Sequence, residues 1–569
     1  MSTRNGGQLT VEVLRAHGVD TVFGLIGSAT MELFDALHDA EDIRFIGVRD
    51  ERTGVHMADA YARTTGRPGV ILAGQNGPGA TNLVTGLAQA MRAYSPVVAL
   101  AGATSTEHYQ LDGFQEIDQH ALFTPVTKRT FDVVQRKRLG DLLTQAFRTA
   151  LSPRPGPVLV NLHRDVLAQE FDDTVNPTPL RRTEGIEGLR PLAPAGLVAR
   201  AADLLRTAER PVIVAGGGVK FREWEPVAAL AELVGAPIVT SAGHGDAVPS
   251  THPAYAGQMG PRGNVVATQL VKDADVILVL GSRLGFNSTF FSYDNISRDA
   301  QIIQVEMDAT ALGRYFPVAF GVLADAPGFA GQVTEALAGH RPGAAVSDWF
   351  DTFTARRRDL LEQREREGDD NATPIQPTRI WKALRATLPE DVIVTLDAGT
   401  LCLQAHDVLP YRQSPALITP VDFGLVGFSF AAGLGAKLGN PDRTVVSLMG
   451  DGGFGMVTSE ISTAVQSGIN TTVIVLNNGV WGAEKAYQRD FYGGRYIGAD
   501  VVNPPYDELA RLYGAHGFAV EKPDDLESTI SEAIASDRLA IVDVKVDPDA
   551  LYSFRRDSFK HRAGTGSGS

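Results

Sequence analysis

The sequence predicts an α/β fold built from open, mainly parallel sheets with helices on their faces. Short β-branched apolar runs end in glycine at several places, as in PGVILAGQNGPGATN (68–82), RPVIVAGGGV (210–219), ADVILVLGSR (274–283) and RTVVSLMGDGG (443–453). A helical pattern follows each run, which is typical of a buried parallel strand that leads through a loop into a helix. Because such units recur throughout, we expect ligands at the carboxyl ends of the strands, where the glycine-rich turns lie.

Two stretches interrupt this pattern and divide the 569 residues into three blocks. Proline and charge break the periodicity over about 169–193. They do so again over about 340–377, which includes the charged and predicted helical segment RRRDLLEQRERE. The predicted domains are therefore 1–168, 190–340 and 375–562, each of ordinary domain size.

Composition and charge disfavour several classes of protein. Hydrophobic residues make up 44% of the chain, and 52 Lys and Arg face 67 Asp and Glu for a net charge of −15. The chain is thus predicted to be globular, with neither a nucleic-acid nor an anionic-membrane partner. Cys402 is the single cysteine, so an intrachain disulfide is impossible. The start MSTRNGGQLTVEVL lacks the unbroken apolar core of a signal peptide, and no run approaches 18 apolar residues, so we expect a cytoplasmic protein.

The strongest chemical signal lies in the third block. The predicted strand VVSLM leads into Gly450-Asp451-Gly452-Gly453, a helix follows, and the next strand leads into Asn477-Asn478-Gly479. Adjacent strand ends can direct one carboxylate and one amide oxygen at the same point, which suits Mg²⁺ together with phosphate oxygens. The glycines let backbone N–H groups approach a diphosphate. Either dipeptide alone would indicate only a turn, and it is the pair at this spacing that indicates a site.

This GDG…NN pattern resembles the diphosphate-and-metal motif of thiamine diphosphate-dependent enzymes. The resemblance covers nearly the whole chain and implies a pyrimidine-binding domain, a Rossmann-like middle domain and a diphosphate-binding domain, in that order. It implies Asp451, Asn478 and the carbonyl of Val480 as Mg²⁺ ligands. Further resemblances are Asp397-Ala398-Gly399-Thr400 and VDFGLVGFSFAAGLGAK (421–437). The implied cofactor-binding residues are Gly399, Thr400, Gly424, Val426, Gly450, Asp451, Gly452, Gly453, Asn478 and Ala483.

Glu51 is the implied partner of the cofactor's aminopyrimidine ring. It stands in VRDERTGVHMADAYARTTGRPG, where the family has a glutamate at a strand end before a helix of the MAxxYAR kind. A carboxylic acid on one ring nitrogen favours the imino tautomer, whose nitrogen then removes the C2 proton. Taken alone, Glu51 would be interpreted as a salt-bridging surface acid. Asp50 departs from the histidine that is common before this glutamate.

Shorter segments resemble particular branches of the family. Gly113-Phe114-Gln115-Glu116, followed by Lys128, resembles the FQE…TK segment of acetolactate synthases, and Gln115 would project into the site. The His-His pair of simple 2-oxo acid decarboxylases is missing here. GQMGPRGN (257–264) stands where acetolactate synthases have a Met-His-Gly run near their flavin, so FAD is doubtful.

A longer segment resembles the sulfoacetaldehyde acetyltransferases. It is NNGVWGAEKAYQRDFYGGRYIG (477–498), supported by QNGPGATN (75–82) and FRRD (554–557). A sulfonate substrate and phosphate are both tetrahedral anions, which arginine and lysine bind well. Each cation alone would be interpreted as a solvated surface charge. The implied substrate and phosphate residues are Asn76, Lys128, Lys485, Arg489, Arg495, Arg555 and Arg556.

The implied reaction converts sulfoacetaldehyde and phosphate to acetyl phosphate and sulfite, with Glu51 as activator and Glu484, Gln115 or His56 as proton handlers. Glu484 alone would be interpreted as a helix-face salt bridge. The alternatives are an acetolactate synthase-like carboligase, a 2-oxo acid decarboxylase, or a non-catalytic homologue, which the intact motifs disfavour. Family members place the glutamate and the metal motif across a subunit interface, so the expected assembly is a homodimer at least, with tetramers common among relatives.

Overall fold

Buried β-branched runs form three six-stranded sheets in the computed structural model, which describes residues 4–171, 190–220 and 223–553. Every strand pair in these sheets is parallel, and helices connect the strands. The predicted α/β class is thereby confirmed. Each sheet falls within one predicted block, while the domain boundaries themselves stay predictions.

The first sheet lies within residues 4–171. Strands in this range are β1 (Arg4–Asn5), β2 (Thr21–Leu25), β3 (Arg44–Gly47), β4 (Gly69–Ala73), β5 (Val97–Ala103), β6 (Arg129–Val133), β7 (Val158–His163) and β8 (Glu170–Phe171). Helices are α1 (Gly6–Ala16), α2 (Met31–His38), α3 (Glu51–Thr65), α4 (Pro78–Ala93), α5 (Gln119–Phe123), α6 (Leu139–Leu151) and α7 (Arg164–Ala168). The sheet order is β3-β2-β4-β5-β7-β6, and β1 pairs with β8 apart from it.

The second sheet has the strand order of a dinucleotide-binding fold. Its strands are β9 (Pro211–Ala215), β10 (Ile238–Thr240), β11 (Tyr255–Gln258), β12 (Val276–Leu280), β13 (Gln301–Glu306) and β14 (Phe320–Leu323). Its helices are α8 (Ala195–Thr207), α9 (Glu225–Val234), α10 (Val265–Asp273), α11 (Phe286–Thr289), α12 (Ala326–Ala336) and α13 (Ala344–Glu367). The order β11-β10-β9-β12-β13-β14 is the 3-2-1-4-5-6 order of Rossmann folds, as predicted for the middle block. The charged segment of the second predicted linker is helical, within α13.

The third sheet repeats the topology of the first. Its strands are β15 (Ile393–Leu396), β16 (Leu417–Ile418), β17 (Val445–Gly450), β18 (Thr472–Asn477), β19 (His516–Val520) and β20 (Ala540–Lys545). Its helices are α14 (Pro377–Thr387), α15 (Thr400–Val408), α16 (Ser429–Gly439), α17 (Asp451–Gly455), α18 (Glu460–Gln466), α19 (Gly482–Phe491), α20 (Tyr506–Leu512) and α21 (Leu526–Ile534). The order β16-β15-β17-β18-β20-β19 matches that of the first sheet strand for strand.

Two compact units result from these elements. The first joins the described residues up to Phe171 with Ala431–Asp442 and Val457–Ile469, and the second contains the rest. In the first unit, Glu460 of α18 accepts hydrogen bonds from the Arg49 backbone N–H at 3.0 Å and from Thr53 Oγ1 at 2.6 Å. Across residues 4–171, 190–220 and 223–553, no helix has both the length and the apolar character that a bilayer span requires.

Candidate active site

Three predicted metal ligands converge where β17 and β18 end. The strands are adjacent and parallel, with Gly450 opposite Leu476, so Asp451 and Asn478 leave the same edge of the sheet. One end of the Asn478 side-chain amide lies 3.2 Å from Asp451 Oδ1 and 3.1 Å from the Val480 carbonyl oxygen. With nitrogen at that end, the amide donates to both oxygens. With oxygen there, the three groups present a cluster of oxygens to one point.

This spacing suits a small hard cation. Mg²⁺ binds oxygens at about 2.0–2.1 Å in an octahedron, which places neighbouring ligand oxygens about 3 Å apart. Separations of 3.1 and 3.2 Å therefore need little rearrangement to accept the ion. One carboxylate, one amide and one carbonyl also leave room in the octahedron for the diphosphate and water oxygens that Mg²⁺ usually keeps.

Asp451 is held in place by two residues that sequence reasoning missed. Its side chain is 1% exposed, and Asn503 Nδ2 donates to its Oδ2 at 2.6 Å. The Tyr506 hydroxyl lies 3.0 Å from the Asp451 carbonyl oxygen and 2.8 Å from Asn503 Oδ1. Burial raises the pKa of Asp451, although Asn503 opposes the shift. A divalent cation at this point would favour the carboxylate form. No local pattern marks Asn503 or Tyr506, because they lie on a loop and at the start of α20, both far along the chain from Asp451.

Two helix starts lie beside the point where Asp451, Asn478 and the Val480 carbonyl converge, which we call the metal corner. Thr400 begins α15 and Gly482 begins α19, and a Cβ added at Gly482 would lie 3.4 Å from Thr400 Oγ1 and 3.6 Å from the Asn478 amide. Helix N-termini offer unpaired backbone N–H groups and a positive dipole end, which together bind phosphate groups. The predicted diphosphate residues Gly399 and Thr400 are thus brought together with the metal ligands.

Asp397 anchors the 421–437 segment, which contains the predicted cofactor-binding residues Gly424 and Val426. Its Oδ2 accepts from the Gly427 N–H at 3.0 Å and its Oδ1 from the Phe428 N–H at 2.8 Å. Burial raises the pKa of this carboxyl to about 6, against the effect of those backbone donors. Gly424 has a φ of +66°, a conformation that glycine adopts without strain. Val426 stays a predicted cofactor-binding residue, and it is half-buried.

Gly453→Ala and Gly450→Ala are expected to differ sharply. A Cβ at Gly453 would lie 2.2 Å from Asp397 Oδ2 and 3.2 Å from Val426 Cγ1, whereas nothing lies within 4 Å of one at Gly450. We expect the first variant to lower the free energy of unfolding by about 1–3 kcal/mol, as overpacking does, and to weaken cofactor binding. The matched Gly450→Ala variant should unfold within about 0.5 kcal/mol of the parent. Denaturant unfolding measures both, and equal stabilities would contradict the assigned crowding.

Glu51 begins α3 in the first unit and is 4% exposed. Asn82 Nδ2 donates to its Oε2 at 2.9 Å, so its partner is an amide rather than a cation. Oε1 lies 3.1 Å from the place of a Cβ at Gly79, and the glycine therefore leaves space beside this oxygen. Burial raises the pKa of Glu51, opposed by Asn82. Asp50 replaces the common histidine and caps α3 by accepting from the Arg52 N–H at 2.8 Å.

Asn76 and Gln115 lie on neighbouring segments of the first unit. Asn76 Nδ2 donates to the Phe114 carbonyl at 2.9 Å, and Gln75 Nε2 donates to Gln115 Oε1 at 2.5 Å. The structure thus brings the two predicted residues together. His56 is fully buried, and burial with the nearby Arg52 lowers its pKa to about 3, so its imidazole is neutral at pH 7. Its proton-handling role stays a prediction that this environment disfavours.

Several predicted anion-binding cations already have partners. Lys128 Nζ donates to the Thr149 carbonyl at 2.6 Å and to Ser152 Oγ at 2.7 Å, at the end of α6. Burial lowers the pKa of this lysine to about 8. Lys485 Nζ lies 2.7 Å from Asp500 Oδ1.

Other predicted substrate residues lie on or after α19. Arg489 Nε donates to Asp490 Oδ1 at 2.7 Å, whereas Arg495 and Glu484 are exposed and Ala483 is half-buried. Arg555 and Arg556 lie outside the described residues. Their roles remain predictions.

Comparison with known protein families identifies all three parts of the chain. Residues 4–122 match the thiamine pyrophosphate enzyme N-terminal TPP binding domain, 198–336 match the central domain, and 397–544 match the C-terminal TPP binding domain. The chain belongs to the thiamine diphosphate-dependent enzymes. Thiamine pyrophosphate is another name for this cofactor, and the matched order is the order predicted from the motifs.

Individual relatives within the thiamine diphosphate-dependent enzymes cover nearly the full length. The chain is 35% identical to a sulfoacetaldehyde acetyltransferase of Alcaligenes xylosoxydans xylosoxydans, over 96% of this chain and 94% of the relative. It is 33% identical to the sulfoacetaldehyde acetyltransferase of Castellaniella defragrans, with the same coverage. It is 32% identical to the acetolactate synthase isozyme 3 large subunit of Escherichia coli K12, over 96% of each chain.

Proposed function

We propose that this thiamine diphosphate-dependent enzyme is an acetyltransferase that converts sulfoacetaldehyde and phosphate to acetyl phosphate and sulfite. The observation that carries the proposal is full-length similarity, at 35% and 33% identity, to two relatives named sulfoacetaldehyde acetyltransferase. Lys485, Arg489 and Arg495, on α19 and after it, support it, because both substrates are anions that arginine and lysine bind.

The metal corner fits Mg²⁺, and the neighbouring helix starts fit the cofactor's diphosphate. Asp451, Asn478 and the Val480 carbonyl would hold the ion, and Thr400 with the backbone of the Gly450–Gly453 turn would hold the diphosphate. When bound, thiamine diphosphate supplies a C2 carbon that becomes nucleophilic on loss of its proton. The protein holds these groups in position before the reaction, and such preorganisation accounts for much of the decrease in activation free energy.

Glu51 supplies the proton chemistry at its Oε1. Asn82 occupies Oε2, so Oε1 is the oxygen left to hydrogen-bond a pyrimidine nitrogen. The raised pKa keeps more of this carboxyl protonated near neutral pH than a surface glutamate would be. That state is the one that donates to a ring nitrogen.

Lys485 and Arg495 are the proposed contacts to the tetrahedral anions. Lys485 lies between the Asp500 carboxylate and the Tyr496 ring, whose centroid is 5.3 Å from its Nζ, so its charge is held in a fixed position. Arg495 is exposed and offers a guanidinium suited to a bidentate grip. Glu484 and Gln115 are the proposed proton handlers.

A homodimer is proposed as the smallest active assembly, with Glu51 of one copy serving the Asp451 site of another. Mixing inactive Glu51→Gln protein with inactive Asp451→Asn protein tests this arrangement. Subunit exchange should restore up to about one quarter of the parental activity, because a hybrid dimer contains one intact site. Absence of any recovery, when exchange is shown to occur, would contradict the shared site.

The reaction itself is tested with purified protein, thiamine diphosphate and Mg²⁺. We expect sulfite and acetyl phosphate to form together from sulfoacetaldehyde, and only when phosphate is present. Release of sulfite without acetyl phosphate would contradict the transfer step. Arg495→Gln should raise KM for phosphate more than it lowers kcat, and Arg538→Gln, whose partner is Asp537, is the matched surface control.

The second candidate is an acetolactate synthase-like carboligase or 2-oxo acid decarboxylase. The observation that favours it is the 32% identity to the E. coli acetolactate synthase subunit, close to that of the acetyltransferases. Carbon dioxide or acetolactate from pyruvate, without any need for phosphate, would establish this alternative. One pocket side chain can change such a preference, so substrate assays decide between the two.

A further inference from the structure

The turn that carries Gln115 has an unusual backbone. Gln110, Asp112 and Gln115 have φ values of 65°, 54° and 59°, so three residues other than glycine adopt left-handed conformations within six positions. L-residues avoid this region because their Cβ crowds the backbone. Such strain persists only where surrounding contacts enforce it, and it is concentrated at functional sites.

The Glu116 carboxylate stabilises this turn by accepting hydrogen bonds from its backbone. Glu116 Oε1 accepts from the Gln110 N–H at 2.7 Å, and Oε2 accepts from the Gly113 N–H at 2.9 Å. The Glu116 N–H in turn donates to the Gly113 carbonyl at 3.0 Å. Burial opposes ionisation of Glu116, but these backbone donors outweigh it and lower the pKa, so the stronger, charge-assisted form of both bonds is present at neutral pH.

Apolar packing does not account for the turn's shape. A small pocket, with about 20 Å³ of space, lies against the segment, and its lining includes Tyr109, Glu116 and His163. Leu111 is 69% exposed and Phe114 is 82% exposed, so the large apolar side chains at the tip point away from the core. The hydrogen bonds that the Gln110 and Gly113 N–H groups donate to Glu116 therefore help to fix this backbone.

We propose that Glu116 is a positioning residue that holds Gln115 in the conformation in which it is presented to substrate. Gln115 itself has other contacts. Its carbonyl oxygen lies 2.2 Å from the place of a Cβ at Gly77, and its side chain accepts a hydrogen bond from Gln75. Glu116 thus fixes the backbone that precedes Gln115, and residues 75–77 contact Gln115 directly. The inference rests on the proposed function only in assigning Gln115 to the substrate.

Hydrogen exchange of the holoenzyme tests the positioning without any turnover. Glu116→Ala should raise the exchange rate of the Gln110 and Gly113 amides about tenfold or more, because both lose their acceptor. Glu107→Ala is the matched control, since Glu107 is an exposed glutamate of the same loop. Unchanged exchange in Glu116→Ala, or an equal rise in Glu107→Ala, would overturn the proposal.

A double-mutant cycle tests the link to Gln115. We expect Glu116→Ala to lower kcat/KM about tenfold in the parent but less than twofold in a Gln115→Ala background, because a positioning residue has nothing left to position. Losses that multiply in full would overturn the link. In Glu116→Ala protein, Gln110→Gly with Asp112→Gly should recover part of the lost activity, since glycine adopts these φ values freely. No recovery would contradict the role of strain.

The cycle separates this inference from the proposed reaction. If the parent acts on pyruvate rather than sulfoacetaldehyde, the proposed function fails, and the cycle is measured with pyruvate. Non-additive losses there would still support the positioning role of Glu116, and additive losses would still overturn it.

Discussion

Glu51→Gln is expected to lower turnover by about 10²–10⁴-fold, the range typical of a positioned general acid or base. Glutamine has nearly the shape of glutamic acid, and it can accept from Asn82 as Glu51 Oε2 does at 2.9 Å. Cofactor affinity should therefore stay within about threefold of the parent. A threefold change in affinity corresponds to a smaller free energy than one charged hydrogen bond contributes. Stopped assays for turnover and titration with thiamine diphosphate measure the two quantities separately.

The stability of Glu51→Gln protein supplies an internal control. Because burial raises the pKa of Glu51 in the folded protein, the parent's free energy of unfolding decreases as pH rises from the unfolded pKa through the folded one. The neutral amide lacks this dependence. The variant should thus unfold at the same temperature or higher at neutral pH. Near-normal turnover in this folded variant would remove Glu51 from its assigned role.

Asp451→Asn is expected to weaken Mg²⁺-dependent binding of thiamine diphosphate by at least about 10–100-fold, the loss that follows even from removing an outer partner of a metal ligand. The amide removes the charge and places a donor where an oxygen is needed. The variant keeps the shape of the side chain beside Asn503, so the loss should appear in binding more than in folding. Titration of thiamine diphosphate at several Mg²⁺ concentrations measures it.

Asp325→Asn is the matched control for the metal site. Asp325 is also a buried carboxylate, and it accepts from the Gly328 N–H at 2.9 Å at the start of α12, but it is not among the proposed ligands. Its replacement should leave the Mg²⁺ dependence of cofactor binding unchanged. Equal behaviour of the two variants, or unchanged binding in Asp451→Asn, would remove Asp451 as a metal ligand.

The sequence by itself determined the class of the fold and the local parts of the site. Glycine after a buried β-branched run is a short-range signal, and the GDG and NN turns each follow directly from the strand before them. Because β17 and β18 are successive parallel neighbours, the convergence of Asp451 and Asn478 was predictable, whereas the Val480 carbonyl was added through the family resemblance. Glu51 was assigned through its resemblance to a family motif, because alone it would be interpreted as a surface acid, and it begins α3 in the structure.

Only the tertiary structure decided which polar groups are already satisfied. Asn503 and Tyr506 reach Asp451 from 52 and 55 positions along the chain, and Asp397 reaches Gly427 from 30 positions away. No local pattern encodes such contacts, since they depend on how separate elements pack. The same reason applies to Lys128, whose ammonium donates to the Thr149 carbonyl at the end of α6, while its substrate-binding role stays a prediction. The sequence gives the chemical type of each side chain. Whether that side chain is available to bind a ligand depends on the hydrogen-bond partners that it acquires on folding.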